Sequence, residues 1–142
     1  SEEIYGFRRP YWEITEHTLK ILVKNGIIYD SSLMDDDEPY IIKIDSYKLV
    51  ELPVYDIYDD WILFELEHRT PLNVLRLWKY ELDAAIESEL NYFCLVLHPA
   101  CIGRIGRLLI LREFIKYAIN KKCKFERGSK IAMDTMMRLE DD

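Results

Sequence analysis

A histidine closes one of the most apolar runs of the chain. In Tyr92-Phe93-Cys94-Leu95-Val96-Leu97-His98-Pro99, aromatic and β-branched residues lead to His98, and a proline follows. Such a run predicts a buried strand over 92–98. Open α/β sheets and α/β barrels carry their chemistry where such strands end, and an imidazole there can donate or accept a proton near neutral pH. A carboxylate beside it would hold the ring in one tautomer for acid catalysis. Asp56, Asp59 and Asp60 precede Trp61 in "YDIYDDWILF", which makes Asp60 a candidate partner of His98 if the fold brings them together. The competing reading is a solvated acidic turn with Trp61 packed as core. A third candidate is Arg8, which ends a short strand pattern in "GFRRPYWE" ahead of a proline-broken loop holding Tyr11 and Trp12. A fixed guanidinium with an aromatic wall would orient a carboxylate. An ordinary surface arginine, with Trp12 plugging a sheet edge, is the alternative.

The remaining chemical side chains read more simply. Cys94, His98 and Cys101 have a spacing that suggests zinc, but Cys94 lies inside the strand pattern and further ligands are missing. Asp35, Asp36, Asp37 and Glu38 lack the spaced ligands of a calcium loop and read as a solvated loop. His17 and His68 read as surface residues, and Arg104, Arg107 and Arg112 as the solvated face of one helix.

The elements that must position these residues follow from composition and periodicity. In 142 residues, 49% hydrophobic and 13% aromatic, there is enough apolar material for one folded domain over 1–142. A net charge of −7 repels phosphate backbones and argues against nucleic acid as a partner. No apolar run approaches the ~20 residues a membrane span requires, and no signal-type segment opens the chain, so a cytoplasmic location is expected. The three cysteines are expected as free thiols.

Short strands are predicted at 4–8, 27–32, 49–54, 92–98 and 123–127. Helices are predicted from Thr15 to Gly26, from Leu72 to Leu90, from about Arg104 to Asn120, and from Ser129 through Met137. On the helix from Arg104, the expected buried face is Ile105, Leu108, Leu111, Ile115 and Ala118. This β-α alternation predicts an α/β fold with a mainly parallel sheet.

The strings "GFRRPYWEIT", "LVKNGIIYDSSLMDDDEPY", "LVELPVYDIYDDW", "LVLHPACIGRIGRLLILREFI" and "FERGSKIA" together resemble the polysaccharide deacetylase (NodB-type carbohydrate esterase) family, nearest its peptidoglycan-deacetylase-like and allantoinase-like branch. They run in the family's order over nearly the whole chain. The resemblance implies the C-terminal portion of a distorted (β/α) barrel and a hydrolase that removes an acyl group from a non-peptide amide. It implies that Arg8 orients a catalytic base and that Trp12 lines the pocket. Asp60 and Trp61 would be the pair that tunes the catalytic histidine and walls the acyl pocket, and His98 the general acid on the leaving amine.

The resemblance also marks a departure. The family's first motif, a strand ending in the metal-binding and base aspartates, and its second, a pair of histidines, are not found in these residues. The chain is therefore expected to resemble the C-terminal half alone, to hold no metal itself, and to be inactive by itself. A divalent metal such as zinc is expected only with the missing half. A half-barrel is expected either to complete itself with a separate N-terminal half or to self-associate through open sheet edges. The alternative is a non-catalytic remnant or interaction module that keeps the fold.

Overall fold

Thr15 opens the first helix as its spacing predicts. In the computed structural model, which describes residues 3–140, its hydroxyl oxygen accepts from the Thr18 backbone N–H at 3.2 Å and caps α1, Glu16–Lys24. Leu19, Leu22 and Val23 form the buried stripe, and the chain leaves through Gly26 at φ 79°, a backbone conformation that glycine adopts without strain.

The chain forms two compact units, residues 1–54 with 126–142, and residues 55–125. The first is built on a four-stranded sheet of β1 (Gly6–Phe7), β2 (Tyr29–Asp30), β3 (Tyr40–Ile44) and β4 (Tyr47–Glu51), in the order β1-β2-β4-β3. β1, β2 and β4 run parallel, and β3 folds back antiparallel on β4. The β3–β4 hairpin is absent from the sequence expectation, which places a single strand at 49–54. Its two-residue turn, Asp45-Ser46, lacks the glycine that usually signals a hairpin, and Asp45 takes φ 53° instead. β4 stops at Glu51, two residues before Pro53, which has no N–H to give a ladder, and beyond it the Val54 N–H donates to the Leu33 carbonyl at 3.0 Å. Leu19, Leu22, Val23, Ile44 and Leu49 form this unit's core, and α5 (Gly128–Glu140) packs on β2, β3 and β4.

Tyr29 shows how closely this unit is packed. Its ring lies on Gly6 across the parallel pair, so that a Cβ at Gly6 would fall 1.9 Å from the ring carbon Cζ. A Cβ at Gly128 would meet the same phenol oxygen at 2.8 Å. Both contacts require a residue without a side chain.

The second unit is mainly helical: α2 (Pro71–Glu87), α3 (Pro99–Ile102) and α4 (Ile105–Asn120). Thr70 caps α2 ahead of Pro71, where the missing proline N–H costs nothing. Trp78 is fully buried and meets Phe114 of α4 edge-on, with ring centroids 5.8 Å apart. α4 buries Ile110, Phe114 and Ala118, whereas Ile105, Leu108 and Ile115 of the expected face are exposed. The helix is apolar on most sides, so periodicity did not select a face and contact with α2 did.

Two expected strands do not form ladders. Residues 92–98 run extended but make a single parallel bridge, Val96 with Asp59, and only Val96 of the run is fully buried. A strand needs a neighbouring backbone, and within this unit only the short segment around Asp59 supplies one. Residues 123–127 form no strand; the Cys123 N–H instead closes α4 on the Ala118 carbonyl at 3.0 Å. The last helix runs on to Glu140, and its first turn hangs from the Arg127 carbonyl rather than from a Ser129 cap.

Candidate active-site residues

The bridge that replaces a ladder is what delivers His98. The Val96 N–H donates to the Tyr58 carbonyl at 3.1 Å, and the Asp60 N–H donates to the Val96 carbonyl at 3.0 Å. This draws the ends of the two segments together. Beyond the bridge the Asp60 side chain, with no exposed surface, turns toward His98. Its oxygens accept the His98 backbone N–H at 3.0 and 3.1 Å, and Oδ1 lies 2.7 Å from the ring Nδ1. One carboxylate therefore fixes both the backbone and the ring of the histidine. An Nδ1–H donating to Asp60 leaves Nε2 as the free nitrogen, on a side chain that is 46% exposed. Pro99 then starts α3, whose first amides, from Cys101 and Ile102, donate to the His98 carbonyl.

Asp59 does different work. Its Oδ1 accepts the backbone N–H groups of Trp61 and Ile62 at 2.7 and 3.1 Å and so caps the helical turn that follows. That turn, Ile62–Leu66, is π-helical, with the Glu67 N–H reaching back to the Ile62 carbonyl. Burial raises the Asp59 carboxyl above its ordinary pKa, against the amides and the His98 charge, which lower it. Trp61 is not core, contrary to the alternative reading: it is 46% exposed, and its ring stands 6.1 Å from that of His98.

Cys101, one turn past His98, supports this corner from below. Its thiol is buried, lies 3.4 Å from the Asp60 carbonyl, and also meets Arg107 and Glu65. Burial first, and then the Asp60 charge, push the thiol up to about 11. Arg107 corrects the expectation of a solvated arginine face. It pairs with Glu65 at 2.6 Å, donates to the Cys101 carbonyl at 3.1 Å and stacks over Phe64 at 4.3 Å, while Arg104 and Arg112 are exposed. Nothing in the spacing of 104, 107 and 112 separates these roles, because the partners Glu65 and Phe64 are remote in sequence.

Arg8 and Trp12 belong to the first unit. Arg8 directly follows β1 and donates from Nε to the Ser31 carbonyl at 2.8 Å and from Nη2 to the Ser31 hydroxyl at 2.6 Å. The loop after it carries two bulky residues in the left-handed region, Tyr11 at φ 61° and Trp12 at φ 55°. Such a conformation costs of order 1–3 kcal/mol per residue and concentrates at functional segments. Trp12 is half-buried and Tyr11 is exposed.

Asp59, Asp60 and His98 form the one group of three His, Cys, Asp or Glu residues, among those described, whose ligand atoms lie within 4.8 Å of one another. They do not fit a hydrolytic metal. Two ligands of a tetrahedral zinc at about 2.0 Å stand roughly 3.3 Å apart. The 2.7 Å between His98 and Asp60 is a hydrogen-bond distance, and the carboxylates are already committed to backbone amides. Cys94 is not part of the group. His17 and His68 are exposed, as are Asp35, Asp36 and Asp37.

The architecture matches known structures. A protein from Mycobacterium smegmatis assigned as a polysaccharide deacetylase is 35% identical, with a TM-score of 0.81 over 94% of this chain and 50% of its own. The PuuE allantoinase is 25% identical, with a TM-score of 0.71 over 83% of this chain and 41% of its own. A protein from Pseudomonas aeruginosa PAO1, assigned to the deacetylases as well, shares the fold at 23% identity, with a TM-score of 0.73 over 83% of this chain and 42% of its own. No protein-family model and no curated protein matches the sequence. The α/β fold is that of part of the deacetylase (β/α) barrel, and the chain belongs to the polysaccharide deacetylase family. It spans about half the length of these solved relatives.

Proposed function

We propose that this chain supplies the proton-donating part of a deacetylase-type hydrolase of non-peptide C–N bonds. The supporting observation is the grip of the buried Asp60 on His98. It fixes the backbone and Nδ1 of the histidine and leaves Nε2 toward solvent, the arrangement of a general acid that protonates a departing amine. In this reading Trp61, exposed beside the imidazole, is a wall for the acyl group. Arg8 orients a carboxylate base and Trp12 lines the substrate pocket, following the family motif.

The nucleophile has to come from elsewhere. A divalent metal lowers the pKa of its water and generates hydroxide at neutral pH, and the described residues do not fit that role. We assign the metal to the family's first two motifs, which these 142 residues do not carry, and we propose that turnover requires a polypeptide that carries them. β1 supports such an association. It is an edge of the described sheet, pairing there with β2 alone, and an edge strand is a template for a further strand.

The test measures zinc content and release of acetate from an N-acetylglucosamine oligomer, for this chain alone and mixed with a polypeptide carrying the first two motifs. Activity and zinc only in the mixture, lost with His98→Ala, support the proposal. Absence of both from the mixture overturns it and favours a non-catalytic module with the deacetylase fold.

A further inference from the structure

The end of the parallel sheet in the first unit carries a second pair of acids, outside the chemistry assigned above. Asp30 ends β2 and Glu51 ends β4, directly opposite each other in the ladder, and neither has exposed surface. Two carboxylates this close and this dry cannot both be charged without a large desolvation and repulsion cost.

Their hydrogen bonds show how the pair is used. Glu51 Oε1 accepts the backbone N–H groups of Ser32 and Leu33, each at 2.9 Å. Asp30 Oδ1 accepts from the Ser32 hydroxyl at 3.0 Å. The second oxygen of each, Asp30 Oδ2 and Glu51 Oε2, has no donor, although the two residues face each other across the parallel ladder. A single proton held between the groups supplies the missing donor and leaves one net charge.

The segment that this pair holds is the one that holds Arg8. Ser31 receives the guanidinium through its carbonyl and its hydroxyl, and its hydroxyl in turn donates to the Leu52 carbonyl at 2.7 Å. Ser32 Oγ accepts the Arg9 backbone N–H at 3.0 Å. We propose that Asp30 and Glu51 share one proton in the folded chain and act as a positioning pair, clamping residues 31–33 onto β4 and thereby setting the guanidinium of Arg8.

The surroundings leave this proton to the pair. Tyr40 of β3 stands opposite Glu51, with its phenol on Asp35 at 2.5 Å; burial, then Asp35, then the Glu51 charge keep that phenol un-ionised. Asp36 adds to the same negative field on Tyr40. Arg8 is held on Ser31, the residue before the Ser32 that both acids engage. The side chains buried by α1 (Leu19, Leu22, Val23) and by α5 (Ala132, Thr135) carry no charge. Consistent with the geometry, burial raises Asp30, and burial together with the Asp30 charge raises Glu51 to about 8.

The positioning itself stands on geometry; only what Arg8 then does rests on the proposed function. The test uses no turnover, so the two fail separately. In the intact chain labelled with 13C and 15N, the side-chain carboxyl carbons of Asp30 and Glu51 are titrated, together with Arg8 Nε and Cζ by carbon detection. The expected result is a carboxyl midpoint at about 8, with the Arg8 shifts moving at that same midpoint. In Glu51→Gln the amide replaces the shared proton: it donates to Asp30 and still accepts from Ser32 and Leu33. This variant should lose the high midpoint and hold the Arg8 shifts flat.

The stability of the wild type should follow the same group. Glu51 keeps its proton to a higher pH folded than unfolded, so its stabilising contribution is complete below its ordinary value of 4.5 and declines up to about 8. Glu51→Gln should flatten that decline. Titration of both carboxyls below about pH 5, in the ordinary carboxylate range, or Arg8 shifts indifferent to the carboxyl midpoint, would overturn the proposal. The wild-type titration decides it even if the variant does not fold.

Discussion

The backbone N–H and the ring Nδ1 of His98 converge on one carboxylate, that of Asp60, 38 residues earlier in the chain. The arrangement makes Asp60 both a structural acceptor and the group that sets the tautomer, and the two roles separate by mutation.

Asp60→Ala leaves the part-buried His98 backbone N–H without its acceptor. It should cost about 1–3 kcal/mol in urea unfolding. Asp60→Asn keeps an acceptor oxygen and should cost less, while its amide competes with Nδ1–H and disturbs the tautomer. Equal stability of Asp60→Ala and wild type would refute the structural role.

In the reconstituted mixture, His98→Ala should lower kcat by about 10²–10⁴-fold, the range of a single general acid. KM should change little, because the ring acts on the leaving group. An amide substrate with a strongly activated leaving group should recover much of the rate, since it departs without protonation. A variant at full rate on the unactivated oligomer would exclude His98 as the acid.

Gly6→Ala places a methyl group inside the ring of Tyr29. The ring must leave its site, and overpacking of this kind typically costs about 1–3 kcal/mol. Tyr29→Ala opens the space, so the double variant should be less destabilised than the sum of the two single variants. Additivity in the double-mutant cycle would show that the contact is absent.

Cys101, with its thiol held up to about 11 in a buried corner, should react with iodoacetamide at pH 8 only after unfolding. Cys94 and Cys123 are half-buried and should be labelled first. Rapid modification of Cys101 in the folded chain, read by peptide mass analysis, would contradict the burial described.

Trp78→Ala removes the largest fully buried side chain of the second unit, between α2 and Phe114 of α4. A loss of about 3–5 kcal/mol is expected. A loss below 1 kcal/mol would mean that the α2–α4 contact is not the core.

Much of this could be read from residues alone. Caps and breakers mark α1 and α2, where Thr15 and Thr70 sit just outside the helices, and Gly26 and Pro71 sit where backbone chemistry wants them. The strings from "GFRRPYWEIT" to "FERGSKIA" point to the family, and Arg8, Trp12, Asp60, Trp61 and His98 lie in that order along the chain. These signals are local, in that each depends on the conformational or hydrogen-bonding preference of a residue and its near neighbours.

What residues alone did not decide depends on partners far apart in the chain. The run 92–98 looked like a buried strand, but a ladder forms only where another backbone lies alongside, and Asp59 provides a single bridge. On α4 the apolar residues surround the helix, and only contact with α2 selected Ile110, Phe114 and Ala118. Arg107 became a clamp because Glu65 and Phe64 are brought beneath it. The carboxylates of Asp30 and Glu51 had no signal at all, since two acids 21 positions apart become a proton-sharing pair only when parallel strands set them side by side. Sequence determined which groups are present and where local elements begin; tertiary structure decided which groups meet, because burial and Coulomb interaction depend on distance in space, not along the chain.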